Sequence, residues 1–321
     1  MKRRTFLQAS ATALAAAEKR ISGVLAPAIT PFRRDLSPDA ERFARHARWL
    51  LASGCSGLAV FGTNSEANSL SADERMALLE FLGKNGVSAA ALMPGTGCCA
   101  LTDSVRLTSH AVKLGCAGVL MLPPFYYKGV PEEGLFRNYS EVIQRVGDAH
   151  LRLYLYHIPP VAQVPISVPL LERLFKAYPE TIAGIKDSSG DWRNTEAVLD
   201  AFKGTSFDVF VGSEVFLLAN MRRGGVGCIS ATANVNPGAI NRLFERWREP
   251  EADRMQQDVS ATRAVVEKYS MIPALKAITA HFGKDPDWVT VRPPLVELSA
   301  DQGQSLAAEL TSKGFAMPRY Q

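Results

Sequence analysis

The sequence predicts an α/β chain folded as a (β/α)8 barrel with additional C-terminal helices. Three observations carry that reading. Eight short apolar runs recur from residue 21 onward, each meeting Gly, Pro, Thr or Ser toward its end. The runs are continuously apolar rather than alternating, which is the pattern of parallel strands covered on both faces. An amphipathic stretch of helical length follows each run, so strand–helix units repeat along the chain.

The first run is GVLAPAITPF, residues 23–32. It ends without a glycine-rich phosphate loop, which argues against a doubly wound open sheet, the competing architecture. Ser37-Pro38 then supplies a capping residue before a proline at the first helical position. The second run, GLAVFG (57–62), leads into Thr63-Asn64-Ser65-Glu66, and Ser71 with Glu74 forms a capping box for the next helix. The third, fourth and fifth runs are SAAALMPGTG (88–97), AGVLMLPPF (117–125) and LRLYLYHIP (151–159). TIAGIKDSS (181–189), FDVFVGSE (207–214) and GCISATANV (227–235) complete the set. Asn236-Pro237 repeats the cap-then-proline signal before a helix through Arg248. The barrel is assigned to residues 21–250. Residues 251–321 form a helical extension packed beyond it in the same domain.

Composition narrows the function. Hydrophobic residues at 47% and charged residues at 21% describe a chain with a full core. Lys2, Arg3 and Arg4 account for most of the +4 net charge; the rest of the chain holds 33 basic against 32 acidic residues. That balance gives a nucleic-acid partner no electrostatic support. The five cysteines form no C-x-x-C pair and the five histidines no H-x-x-x-H pair. A zinc site and a disulfide framework are therefore not expected, and the thiols read as free groups in a core.

Residues 1–20 read as a twin-arginine export signal, carried by Arg3-Arg4-Thr5-Phe6-Leu7-Gln8 and the small residues Ala15-Ala16-Ala17, or as a disordered N-terminus. The apolar part is too short to span a bilayer, so no membrane anchor is expected.

In this fold reacting groups gather at the C-terminal ends of the strands. The first run ends in Thr30-Pro31, the second in Gly62 to Glu66, the third in Gly95-Thr96-Gly97 and the fourth in Phe125-Tyr126-Tyr127. The fifth ends in Tyr156-His157, the sixth in Lys186, the seventh in Gly212-Ser213 and the eighth in Ser230. One amine, several phenols, hydroxyls and amides thus converge on one mouth. A lysine stripped of water there is available as a neutral amine. It can attack a carbonyl and form an imine, which stabilises a neighbouring carbanion as an enamine. A tyrosine in hydrogen-bond reach can move the proton, and the Gly62–Ser65 turn offers donors for a carboxylate. Blander readings compete at each position. Lys186 could simply pair with Asp187. Tyr154 and Tyr156 alternate with Leu153 and Leu155 as core tyrosines do. Glu66 could be a solvated turn acid, and Tyr126-Tyr127 an aromatic subunit contact.

Taken together, ITPF (29–32), GTNSEANSLS (62–71), PGTG (94–97), PPFYYKGVPEEGLF (123–136), YHIP (156–159), GIKDSSG (184–190), VGSE (211–214) and GGVGCISATANVNP (224–237) are similar to motifs of a known family. The chain resembles the Schiff-base (class I) aldolases and dehydratases typified by dihydrodipicolinate synthase and N-acetylneuraminate lyase, from about residue 21 to 300. The resemblance implies that Lys186 forms the imine, that Tyr156 moves protons and that Tyr127 reaches a neighbouring subunit's site. It implies that Thr63 and Asn64 hold the carboxylate of a 2-oxo acid and that Gly212 and Ile229 line the back of the pocket. It also implies a homo-oligomer, dimer or tetramer, with no cofactor and no metal. The location implied is cytoplasmic, or periplasmic if the Arg3-Arg4 signal functions.

Two departures shape the expected activity. Dihydrodipicolinate synthase has an arginine shortly after its Tyr-x-x-Pro motif, whereas Pro160, Val161, Ala162 and Gln163 stand here. Without that cation a bidentate grip on a second carboxylate is missing, which argues against true dihydrodipicolinate synthase activity. The turn also reads Gly-Thr-Asn-Ser-Glu, with Ser65 in place of a glycine, and Asn64 resembles the 4-hydroxy-2-oxoglutarate aldolase branch. The expected protein is a class I lyase acting on a pyruvate-type 2-oxo acid. Alternatives are dehydration of a 2-keto-3-deoxy sugar acid through the same imine, and a barrel that binds an oxo acid without turnover.

Overall fold

The computed structural model describes residues 20–320; the Arg3-Arg4 motif lies outside them. Seven parallel strands form one sheet: β1 (Gly23–Ala26), β2 (Gly57–Leu58), β3 (Val119–Met121), β4 (Leu153–His157), β5 (Ile182–Asp187), β6 (Asp208–Val211) and β7 (Gly227–Ile229). Their order is β2-β1-β7-β6-β5-β4-β3.

The gap between β2 and β3 is closed by residues 92–96. Met93 N donates to Leu58 O at 2.9 Å and Gly95 N to Val60 O at 2.7 Å. On the other side Leu120 N donates to Pro94 O at 2.9 Å and Thr96 N to Leu120 O at 3.0 Å. The ring therefore has eight members, as the periodicity predicts, but the third run forms only isolated bridges at Leu92 and Gly95. Pro94 lacks an N–H to donate, which interrupts the ladder. The start of that run, Ala89–Ala91, is a 3-10 turn rather than a strand. At Gly95 a Cβ would sit 2.0 Å from Phe61 O, so only glycine lets the closing segment approach the second.

The inside of the ring is filled by one contribution or two from each member. Leu25, Ala59, Met93, Leu120, Tyr154, Tyr156, Ala183, Phe210 and Ile229 form one buried cluster. A larger cluster lies between the strands and the surrounding helices. This division is why the strands read as unbroken apolar runs.

Twelve helices surround the ring among the described residues: α1 (Ala40–Ala52), α2 (Ala72–Lys84), α3 (Leu101–Lys113), α4 (Glu132–Val146), α5 (Pro159–Ala162), α6 (Val168–Ala177), α7 (Trp192–Ala201), α8 (Leu217–Arg222), α9 (Pro237–Glu245), α10 (Ala252–Val266), α11 (Met271–Gly283) and α12 (Ala300–Ser312). The Ser71–Glu74 capping box forms as expected. The Ser37 cap does not. Asp39 caps α1 by accepting from Arg42 N, while Pro38 lies in a bridge with Phe32. α9 begins at Pro237 but ends at Glu245, three residues before Arg248. Cys55 and Cys228 lie in the core as expected, whereas Cys99 is exposed. Among the described residues no helix is long and apolar enough to cross a membrane.

Candidate active site

Lys186 faces the inside of the ring because β5 carries a bulge. Leu153 pairs with Ile182, but the next residue, Tyr154, pairs with Gly184. The extra residue shifts the alternation by one, as bulges do. Tyr156 then pairs with Lys186, so both point inward, while Ile185 joins the outer core. The Lys186 ammonium nitrogen lies 4.1 Å from the centre of the Tyr156 ring, and the residue is only 2% exposed.

Asp187 takes the opposite face. Its carboxylate accepts from Ser189 N at 2.8 Å, Asn194 Nδ2 at 2.9 Å and Thr195 Oγ1 at 2.6 Å. The structure therefore does not contain the Lys186–Asp187 pair that was the blander reading. His157 also faces outward: its Nδ1 accepts from Ile166 N at 3.0 Å, and burial lowers its pKa.

Tyr154 and Tyr156 both face inward, yet their surroundings differ. Tyr154 donates to Asp208 Oδ2 at 2.8 Å, and burial raises the pKa of its phenol. It is a core residue. Two residues further along the strand, the Tyr156 hydroxyl lies 3.2 Å from Thr63 Oγ1, at the cavity.

Thr63, Asn64 and Ser65 form a 3-10 turn after β2. Thr30 Oγ1 donates to Ser65 O at 2.7 Å, which ties the turn to the end of the first run. The left-handed residues here are Phe61 (φ 59°) and Glu66 (φ 54°), not Ser65. A serine in place of a glycine at 65 is therefore unstrained. Glu66 is buried, not solvated as the sequence allowed. It pairs with the fully buried Lys276 of α11, and its other oxygen accepts from Arg292 N at 2.9 Å. Burial lowers the Lys276 pKa to about 8.

These groups open on a cavity of about 550 Å³, within the range that holds a small metabolite. Thr63, Asn64, Tyr156, Lys186 and Gly212 line it together. Val161, Ser213 and Phe216 extend its wall. Ile229 is fully buried in the ring below. Tyr127 stands outside the cavity, 71% exposed, edge-on to Tyr126 with ring centres 5.4 Å apart.

One group of lining residues escaped the sequence reading. Arg263, Glu267, Ser270, Met271, Ile272 and Pro273 all come from α10, α11 and the link between them. The C-terminal extension is thus part of the cavity wall and not merely packed beyond the barrel. Arg263 Nη1 donates to Glu214 Oε2 at 2.8 Å and Ser230 Oγ at 3.1 Å, and its Nε donates to Glu267 Oε1 at 2.7 Å. The only local signal was the i, i+4 spacing of Arg263 and Glu267, which many surface helices share.

The sequence profile of the Dihydrodipicolinate synthetase family matches residues 20–313. A protein of Chloroflexus aurantiacus described as an uncharacterized DapA-like lyase is 31% identical over 288 residues, covering 89% of this chain and 95% of that one. The crystal structure of dihydrodipicolinate synthase from Agrobacterium tumefaciens superposes with a TM-score of 0.84 at 29% identity, covering 90% of this chain and 98% of the other. The chloride-inhibited dihydrodipicolinate synthase of Acinetobacter baumannii, complexed with pyruvate, superposes with a TM-score of 0.83 at 26% identity, covering 92% and 99%.

Proposed function

The chain belongs to the Dihydrodipicolinate synthetase family, and from that membership and its cavity we propose a class I lyase that handles a pyruvate-type 2-oxo acid through an imine on Lys186. Its relatives make it an enzyme of the lyase type. The observation that carries the finer reading is the inward lysine. Lys186 stands at the cavity beside Tyr156 while its neighbouring acid, Asp187, is occupied elsewhere. Burying an amine is costly, and the phenol beside it supplies the proton carrier that imine chemistry needs and simple binding does not.

The reaction runs as follows. The Lys186 amine adds to the C2 ketone carbon, and the carbinolamine hydroxyl takes the Tyr156 proton and leaves as water, so that a protonated imine stands beside a Tyr156 phenolate. The C4 hydroxyl gives its proton to Tyr156, the C3–C4 bond breaks, and its electron pair moves into the iminium to form an enamine. An aldehyde leaves. Protonation at C3 and hydrolysis of the imine then release pyruvate and restore the amine. Thr63, within hydrogen-bond reach of the Tyr156 hydroxyl, orients that hydroxyl and extends the proton path. The Thr63–Asn64 turn receives the C1 carboxylate. The exposed Tyr127 suits a relay completed across a subunit boundary, so the working unit is a homo-oligomer. The pyruvate held by the Acinetobacter baumannii relative supports the substrate class. The missing cation after Pro159 keeps the reading away from dihydrodipicolinate synthase itself. Dehydration of a 2-keto-3-deoxy sugar acid needs the same imine and remains the second reading.

The test is borohydride reduction in the presence of pyruvate, followed by peptide mass analysis. The expected result is a modified peptide carrying Lys186 and none in Lys186→Ala, which should stay folded but lose turnover. No adduct across a panel of 2-oxo acids would leave a binding barrel instead. NMR of the products separates cleavage from dehydration.

A further inference from the structure

Resting on the imine reading above, we infer that the half of the substrate beyond C4 carries hydroxyl groups and no second carboxylate, and that Arg263 with Glu267 enforces this. Among the described residues that line the cavity, the basic side chains are Lys186 and Arg263. Lys186 is used by the imine. Arg263 is held by two acids, Glu214 and Glu267. Glu214 is buried and also accepts from the Ser230 and Thr232 hydroxyls, so it cannot leave without stranding a carboxylate. Asp187, the other lining acid, is taken up by Ser189, Asn194 and Thr195; with Arg263 balanced by the fixed Glu214, the half-exposed Glu267 is the surplus negative charge on that side of the wall.

The placement matters. Glu214 and Ser230 follow β6 and β7, which β1 separates from β2 in the ring. The Thr63–Asn64 turn follows β2, so the C1 carboxylate and the Arg263 group occupy different sides of the mouth. A substrate with a second carboxylate on the Arg263 side would meet Glu267 across a partly desolvated gap, a like-charge contact that disfavours it. Ser188, Ser213 and Ser270 line the same cavity and offer hydroxyls that a polyol tail can exchange hydrogen bonds with. The inference departs from what Asn64 alone implies, since 4-hydroxy-2-oxoglutarate ends in a second acid.

Two probes matched through C4 decide it: 2-keto-3-deoxygluconate, whose tail is hydroxylated, and 4-hydroxy-2-oxoglutarate, whose tail is a carboxylate. Their consumption is followed by NMR, which registers cleavage and dehydration alike. The expected result is a kcat/KM at least tenfold higher for the hydroxylated probe. Glu267→Gln should narrow that ratio several-fold, mainly through a lower KM for the diacid. Equal or better use of the diacid by the wild-type protein overturns the inference, as does a ratio that Glu267→Gln leaves unmoved. Borohydride trapping on the same samples keeps the two readings apart. An adduct at Lys186 with the diacid preferred sinks only the tail assignment, whereas no adduct sinks the imine.

Discussion

Tyr156 shows how much one side chain's neighbours decide. Its ring lies against the Lys186 nitrogen and its hydroxyl against Thr63, whereas Tyr154, two residues earlier on the same face, spends its hydroxyl on Asp208. Only the former can exchange a proton with a bound substrate. Tyr156→Phe keeps the ring and removes the proton carrier. It should lower kcat by roughly a hundredfold or more while the borohydride adduct still forms. An unchanged kcat would remove the shuttle role. Thr63→Val removes only the partner of that hydroxyl, and a lost hydrogen bond of about 1 kcal/mol corresponds to a fall of several-fold. If Thr63→Val were the more damaging of the two, the relay would have to be drawn through Thr63 first.

At the scale of the element, β5 is where sequence and structure inform each other most. The run 181–189 announces a buried strand ending in a lysine, but strict alternation places Lys186 on the face opposite Ala183. The bulge that brings both inward is set by pairing with β4, a long-range property that no local pattern encodes. The positions of the eight runs were legible because each is covered on both faces. Their lengths were not: the run 227–235 contributes a three-residue strand and then a 3-10 turn. The lysine and the Thr63–Asn64 turn were legible from their motifs. Arg263 was not, since its buried acid, Glu214, lies 49 residues away and only packing unites them. Gly184 is the residue that lets the bulged strand lie against β6, because a Cβ there would stand 2.1 Å from Asp208 O, a backbone atom that cannot step aside cheaply. Gly184→Ala should cost roughly 1–3 kcal/mol, the usual toll of overpacking, and slow trapping at Lys186 beyond what the lost stability explains. A variant that trapped pyruvate at the wild-type rate would show that the bulge is not what aims the lysine.

For the molecule as a whole, the C-terminal helices complete the barrel rather than decorate it, and His46 is one place where that dependence can be measured. The His46 ring is fully buried. It packs against Trp49 of its own helix and against Trp288 and Tyr320 of the C-terminal region, with ring centres 5.0–6.0 Å apart. Its Nε2 lies 3.2 Å from Asn234 Oδ1. That oxygen also accepts from Ile29 N at 3.0 Å, so the shared proton belongs to the histidine. Nδ1 has no partner among the described residues, and protonating it would bury an unsatisfied charge among aromatic rings. Burial accordingly lowers the His46 pKa from 6.5 to about 4. Because the folded-state value is the lower one, the unfolded chain takes up the proton first as pH falls. The stability tied to neutral His46 is complete above pH 6.5 and is lost between 6.5 and about 4, amounting to about 3 kcal/mol over that window. Carboxylates titrate in the lower part of the same range, so the measurement is a comparison: urea midpoints of the wild-type protein and of His46→Phe, taken at intervals from pH 7 to 4. The wild-type midpoint should fall more steeply with acid, and the gap between the two curves should close or invert toward pH 4. Parallel curves would mean that this imidazole does not couple proton uptake to the seating of the C-terminal segment on the barrel.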